Sequence, residues 1–289
     1  MISDKKQIFS VVATALALGG VGFFSFVLIL QTIFSGQIIL PQSLTLGSLH
    51  LQYYGLLIGL AALSGYWLLI KLRHKYRIEK SDADNLLFLV LVCGFVGARL
   101  YHVFSEAPFY FEHPRQIIAV WNGGLSIFGA DLGGFIGLVA YRKYFSKYSM
   151  MQLLDWITPG VVLGQIIGRF GNFVNYELFG NPTTLPWKMF VPEQFRLAPF
   201  ENAQFFHPLF LYEASGSIVI LMLLLRLKLR PGQLFLLWLF LYNVMRFFLE
   251  FLRVGSITYA NIRINAVVAM VLAIFAAVLW IHRNRKSQT

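Results

Sequence analysis

LLDWITPGVVLGQIIGRFGNFVNYELFG, Leu153 to Gly180, is the stretch that decides how this chain folds. It begins as an apolar run reaching about Phe173, the length of a bilayer-crossing helix of about 20 residues. It ends in Gly168 to Gly180, which carries an arginine, two asparagines and a glutamate. Arg169, Asn172 and Asn175 recur at helical spacing, so one face of a mostly apolar segment is strongly polar. Gly164, Gly168 and Gly171 lie three to four residues apart and predict close approach by another backbone. An arginine in or beside a bilayer costs about 2.5–3.5 kcal/mol on insertion scales unless it is paired or hydrated. Polarity placed there at that cost points to a site for an anion.

The rest of the chain repeats the apolar theme. Its 289 residues are 57% hydrophobic and 13% charged. Several charge-free runs of about 18–25 residues predict an all-α, polytopic helical membrane protein of about eight transmembrane helices. The net charge of +11 is compatible with nucleic acid, but much of the Lys and Arg lies in short connections between apolar runs, where it reports topology instead. Cys93 is the sole cysteine, which excludes an internal disulfide and a thiolate metal cluster; in its apolar run it reads as packing.

The predicted spans run from Ile8 to Phe34, Leu51 to Ile70, Leu86 to Phe104 and Gly124 to Tyr141. The remaining four are Leu153 to Phe173, Pro208 to Leu225, Leu234 to Leu252 and Ala266 to Ile281. The first run exceeds the roughly 7–15 apolar residues of a secretory signal. KLRHKYRIEK (Lys71 to Lys80), the group Arg142, Lys143 and Lys147, and the group Arg226, Lys228 and Arg230 mark one side as cytoplasmic. Both termini are then cytoplasmic, and the Gly168–Gly180 motif faces the opposite side. Gly129, Gly133 and Gly137 form two small-xxx-small steps, a close-packing face. Residues 181–207 hold Pro182, Pro186, Pro192 and Pro199, and are read as a small extracytoplasmic lobe.

Three spans deliver arginines toward that outer half, namely Arg99, Arg169 and Arg246, and three deliver the acids Asp131, Glu213 and Glu250. Glu177 lies just past Arg169. Arg246, Glu250 and Arg253 are spaced by four and then three residues and share a helix face. One reading is that these groups only pair and glue helices together, with Arg99 against Glu250 or Asp131. The other is recognition: the planar arginine fork binds phosphate bidentately, as lysine cannot. At headgroup depth, Arg169 and Arg246 point to an anionic phospholipid. His207 and His102 read as interfacial residues or as acid–base groups, and Tyr54 as an aromatic-belt residue.

GRFGNFVNYELFG resembles the signature of the bacterial prolipoprotein diacylglyceryl transferases. Further motifs follow in that family's order: YYGL at Tyr53 to Leu56, GARLYHV at Gly97 to Val103, WNGGLSIFG at Trp121 to Gly129 and DWITP at Asp155 to Pro159. HPLFLYE at His207 to Glu213 and RFFLEFLR at Arg246 to Arg253 complete the set. The resemblance covers a membrane domain over residues 51–289 and leaves residues 1–50, with the first span, as an addition to the usual seven helices. It implies transfer of the diacylglyceryl group of phosphatidylglycerol to the lipobox cysteine of a preprolipoprotein signal peptide in the bacterial inner membrane. A thioether forms and glycerol phosphate leaves, with no cofactor or metal. Carried over by position, Arg169 binds the headgroup, with Asn172, Asn175 and Gly180 completing that site. Tyr54, Arg246, Glu177 and Glu250 are the catalytic set.

A thiol with a pKa of about 8.5 needs a proton acceptor or an electropositive field. Some family members carry a histidine after the GGLS run as the proposed base; this chain has Phe128, and Asp131 where the family is usually apolar. Glu177, His207 and Asp131 are the candidate bases, or the arginine field lowers the thiol pKa. Two other readings compete with an active transferase. A catalytically altered paralogue would bind phospholipid as a scaffold, and a small-solute transporter would show internal repeats, which the two halves lack.

Overall fold

The computed structural model describes residues 28–46 and 49–286. Of the first predicted span only residues 28–34 fall among them, as the helical end of α1, and the rest lies outside the described residues. The long helices are α2 (Tyr53–Leu72), α3 (Lys80–Ser105), α5 (Ile127–Tyr144), α6 (Met150–Val174), α7 (Leu209–Arg226), α8 (Gln233–Leu252) and α9 (Ile264–Lys286). A short α4 (Ala107–Glu112) follows α3. Each long helix overlies one predicted span, so the chain is a polytopic helical membrane protein. Among the described residues six of them are apolar and long enough to cross a membrane. The seventh, α5, has 18 residues and includes Asp131, Arg142 and Lys143.

The connections hold structure that the apolar pattern does not announce. Strands β1 (Ser43–Leu46) and β2 (Leu49–Gln52) pair antiparallel, with Ser43 opposite Gln52. In the proline-rich connection β3 (Met189–Phe190) pairs with β4 (Phe205–Phe206). Past α8, β5 (Thr258–Tyr259) pairs with β6 (Ile262–Arg263). The last pair turns through Ala260 and Asn261, both with positive φ, the geometry of a two-residue hairpin whose twist suits its strands.

Two compact units account for the chain. One takes residues 60–165, 217–242 and 272–289. Here α3 and α5 meet through glycine: a methyl at Gly129 would come within 2.3 Å of the Gly97 carbonyl oxygen, and one at Gly133 within 2.2 Å of that of Cys93. The predicted glycine face of α5 is therefore a backbone-to-backbone contact, with Cys93 packed inside it. Trp156, fully buried, donates its indole N–H to the Leu69 carbonyl at 3.0 Å. Asp155, 4% exposed, accepts the Gly232 N–H at 2.6 Å and the Phe235 N–H at 2.8 Å. It thus caps the start of α8 from another helix, satisfying donors that a helix N-terminus leaves without intrahelical partners.

The other unit takes residues up to 59, 166–216 and 243–271. Its core gathers Ile33, Phe173, Tyr176, Phe179, Met189, Val191, Phe206, Phe210 and Val254. Phe206 and Val191 are fully buried, and each such side chain stabilises by about 1.5–3 kcal/mol. Residues 181–207 therefore fold onto the end of α6 and the start of α7 through their own apolar side chains.

Candidate functional site

Every polar residue of the Gly168–Gly180 motif belongs to the second of these units. Arg169 and Asn172 lie one turn apart on α6, and Arg169 Nη1 donates to Asn172 Oδ1 at 3.0 Å. The helix ends just beyond, where Tyr176 and Leu178 adopt positive φ of 53° and 55°. Between them Glu177 turns back, its N–H donating to the Asn172 carbonyl at 2.8 Å. Its carboxylate accepts from Asn172 Nδ2 at 3.3 Å and from Asn175 Nδ2 at 3.1 Å. The helical spacing of the two asparagines thus converges on one acid.

The arginines are joined through Glu213 of α7. Arg169 Nη2 lies 2.9 Å from Glu213 Oε1, and Arg246 Nη1 lies 2.8 Å from Glu213 Oε2. Glu250, one turn along α8 from Arg246, lies 3.4 Å from Arg246 Nη2 and 3.6 Å from Arg253 Nη1. Asn265 Nδ2 donates to the other Glu250 oxygen at 2.9 Å. The acids form the inner side of the array, with side chains 4% and 1% exposed, whereas each arginine keeps 21–22% of its side chain accessible. Three guanidiniums share two carboxylates. An accessible row of forks backed by buried acids can hold an anion.

Other motif residues hold this frame. Gly171 carries no side chain because Tyr54 stands there: a methyl would lie 2.6 Å from the tyrosine ring. Gly180 is pressed between His207 and α8, where a methyl would come within 2.8 Å of His207 Cβ and 3.0 Å of the Leu252 carbonyl oxygen. Its N–H donates to the His207 carbonyl at 2.9 Å, and the neighbouring Asn181 N–H to the Leu252 carbonyl at 2.7 Å. Arg263 closes the far end of α8 by donating to the carbonyl oxygens of Glu250 and Arg253, as cations at helix C-termini do. Gly164 and Gly168 differ from the expectation of close approach, since a methyl at either meets nothing within 4 Å. Residue spacing names a smooth face without saying what lies on it.

His207 Nδ1 lies 3.0 Å from the Tyr212 hydroxyl, which accepts the Trp187 indole N–H at 2.7 Å. Either ring tautomer satisfies this contact, the hydroxyl donating to Nδ1 or accepting from it. Burial pushes the His207 pKa below its ordinary value, so the ring is neutral near pH 7.

Arg99, Phe128 and Asp131 belong to the first-described unit. Arg99 differs from the expected acid pairing: it donates to the carbonyls of Ile117 at 2.8 Å, of Gly123 and Gly124 at 2.7 Å each, and of Gln116. At 8% exposure its guanidinium serves as a clamp on the loop between α3 and α5. Phe128 is 69% exposed and leans on Tyr101 with ring centroids 6.1 Å apart. Asp131 is exposed on α5. Among the described residues no three His, Cys, Asp or Glu side chains gather as a metal site.

Glu213, Arg253 and Asn265 are the members that sequence reasoning left out of the site, though Arg253 was placed on the face of Arg246 and Glu250. For Glu213 the signal was there, an acid inside an apolar span. Asn265, at the start of α9, gives none.

A family model described as prolipoprotein diacylglyceryl transferase matches residues 41–282. A Fervidobacterium nodosum protein named phosphatidylglycerol–prolipoprotein diacylglyceryl transferase is 36% identical over 284 residues, covering 96% of each chain. Similarly named proteins of Thermotoga maritima and Thermosynechococcus vestitus are each 37% identical, covering 89% and 79% of this chain and 90% and 87% of their own. The Fervidobacterium match leaves only about a dozen residues of this chain uncovered (4% of 289), so it extends well into the segment before Leu51.

Proposed function

This chain belongs to the prolipoprotein diacylglyceryl transferase family, and we propose that its Arg169–Glu213–Arg246 array receives the phosphate of phosphatidylglycerol. The chain is a transferase. The acceptor is the thiol of a preprolipoprotein's lipobox cysteine. Its sulfur attacks the diacylglyceryl carbon, the S–C bond forms, and the bond from that carbon to the phosphate oxygen breaks. Glycerol phosphate leaves with the electron pair.

The phosphate enters as a diester with one negative charge and leaves as a monoester that gains a second. Arginine forks aimed at the phosphate hold the later, more negative state more tightly than the earlier one, and that difference accelerates the step. Arg169 and Arg246 make the phosphate contacts, while Glu213 and Glu250 hold their forks. Asn172, Asn175 and Glu177 present amides and a carboxylate to the headgroup's hydroxyls. Tyr54 stands beside Gly171, and Gly180 fixes the loop to α8. The thiol proton goes to Glu177 or to the neutral His207, both on this unit, or is lost to water under the arginine field.

Cation placement in the connections of the membrane domain supports insertion in the bacterial inner membrane with this site facing outward. Residues 181–207 form the lobe on that side.

The observation that carries the reading is one buried carboxylate bridging two accessible arginine forks at 2.8 and 2.9 Å. The test supplies the purified protein with phosphatidylglycerol and a lipobox peptide, beside a zwitterionic phospholipid and Arg169→Ala. Thioether-linked diacylglyceryl peptide from phosphatidylglycerol with wild type alone is the expected result. No product from wild type, while an authentic transferase works in parallel, would end the proposal.

A further inference from the structure

We infer that residues 33–42, the segment leading out of α1, are a strap that positions the headgroup-facing turn of the active site. The inference deepens the reading above and rests on it. The turn is Asn175 to Leu178, the one that aims Glu177 at Asn172 and Asn175. Two of its non-glycine residues, Tyr176 and Leu178, hold positive φ of 53° and 55°. Such conformations cost free energy in any L residue other than glycine, and persist only where the surroundings over-determine them. The strap is one of the elements that hold this turn.

Contacts run along the whole segment. Phe34 sets its ring edge-on against Phe173 and Phe210, at centroid distances of 5.6 and 6.2 Å, just before the turn in sequence. Ile33 is 9% exposed in the same core. Gly36, with φ of 81°, lies so close on the Phe190 ring that a methyl would come within 2.6 Å. The Leu40 N–H donates to the Tyr176 hydroxyl at 2.8 Å, and Phe195 stacks on that ring at 5.1 Å. Tyr176 is itself 3% exposed. Gln42 completes the strap: its Nε2 donates to the Asn175 carbonyl at 3.3 Å, while its own carbonyl accepts the Tyr53 N–H at 3.0 Å.

Gln42 therefore ties the turn carrying Glu177 to the residue next to Tyr54. The strap's hydrogen bonds reach Tyr176 and Asn175 of the turn, so it acts through Glu177 and its asparagines. Residues 33–40 precede the family model's match, which starts at residue 41, and lie within the match to the Fervidobacterium protein.

The test measures thioether formation against phosphatidylglycerol concentration for wild type, Gln42→Ala, Phe34→Ala and Tyr176→Phe. Because headgroup contact is what the turn provides, KM for phosphatidylglycerol should rise about tenfold while kcat stays within threefold. A double-mutant cycle separates positioning from general loosening. In a Glu177→Gln background the Gln42→Ala effect on KM should largely vanish. Unchanged KM in Gln42→Ala and Tyr176→Phe, each lacking one hydrogen bond, would overturn the inference while leaving the transferase reading intact. Full additivity with Glu177→Gln would overturn it as well. If Phe34→Ala fails to fold, the two hydrogen-bond variants decide. A wild-type protein without transfer activity would sink the reading and the strap together.

Discussion

Replacing Glu213 with glutamine leaves the shape of α7 unchanged and removes the charge that two arginines share. In the native array Glu213 contacts Arg169 at 2.9 Å and Arg246 at 2.8 Å, with its side chain 4% exposed. Arg169 retains Asn172, and Arg246 retains Glu250 at the longer distance of 3.4 Å. Removing one member of a buried ion pair costs about 3–5 kcal/mol because the remaining charges stay buried without compensation. Glutamine keeps one acceptor oxygen, so the lower end of that range applies. Function should suffer separately. The array becomes one charge more positive, which attracts the diester more strongly, but the forks lose the common carboxylate that sets their spacing. Losing one preorganised charge-stabilising contact typically lowers kcat by about 10²–10³. Glu213→Gln should therefore show KM for phosphatidylglycerol unchanged or lower and kcat down by about two orders of magnitude. Glu213→Asp, one methylene shorter, cannot span both forks and should fall in the same range. The assay is steady-state thioether formation in mixed micelles with a melting curve on the same preparation. A kcat within threefold of wild type together with an unaltered melting curve would refute the bridging role.

Three further outcomes follow from the same structure. Gly180→Ala puts a methyl 2.8 Å from His207 Cβ and 3.0 Å from the Leu252 carbonyl oxygen; the backbone must shift, lowering stability by about 1–3 kcal/mol, and a native melting curve would contradict the packing. Asp155→Ala strips the start of α8 of its cap; with charge-assisted bonds worth about 1.5–3 kcal/mol each, the melting temperature should fall well below that of Asp155→Asn, and equal melting would refute the cap. Because burial lowers the folded-state pKa of His207, below the unfolded value of about 6.5 the unfolded chain takes up a proton that the folded one resists. Stability from this group is thus complete above about pH 6.5 and declines as pH drops toward the folded pKa. His207→Gln should melt with a shallower acid dependence between pH 7 and 5, and matching slopes would be the contrary result.

What the sequence disclosed follows how local each signal is. Helical spacing alone put Arg169 with Asn172, and Arg246 with Glu250 and Arg253, on common faces, and all these pairs meet. The glycine rhythm of α5 was read correctly because Gly97 supplied a matching small face on α3. The same rhythm in α6 misled, since nothing in the spacing of Gly164 and Gly168 tells whether another backbone lies there. Arg99 invited an acid partner because charges are easily seen in sequence, whereas the carbonyl groups it binds are present at every residue. Glu213 stood in plain view as an intramembrane acid, yet its bridging role depends on α6, α7 and α8 arriving together, which is a tertiary fact. The β1–β2, β3–β4 and β5–β6 pairs are two to four residues per strand, too short for an alternating pattern to rise above the surrounding polarity.

The central claim is that arginine forks, not merely positive charge, stabilise the leaving phosphate. Arg246→Lys tests it most directly, because lysine keeps the charge and loses the planar pair of donors. The decisive measurement is kcat for diacylglyceryl transfer from phosphatidylglycerol to a lipobox peptide. The structure predicts a fall of about 10²-fold or more with a near-native melting curve; a kcat within threefold of wild type would contradict it.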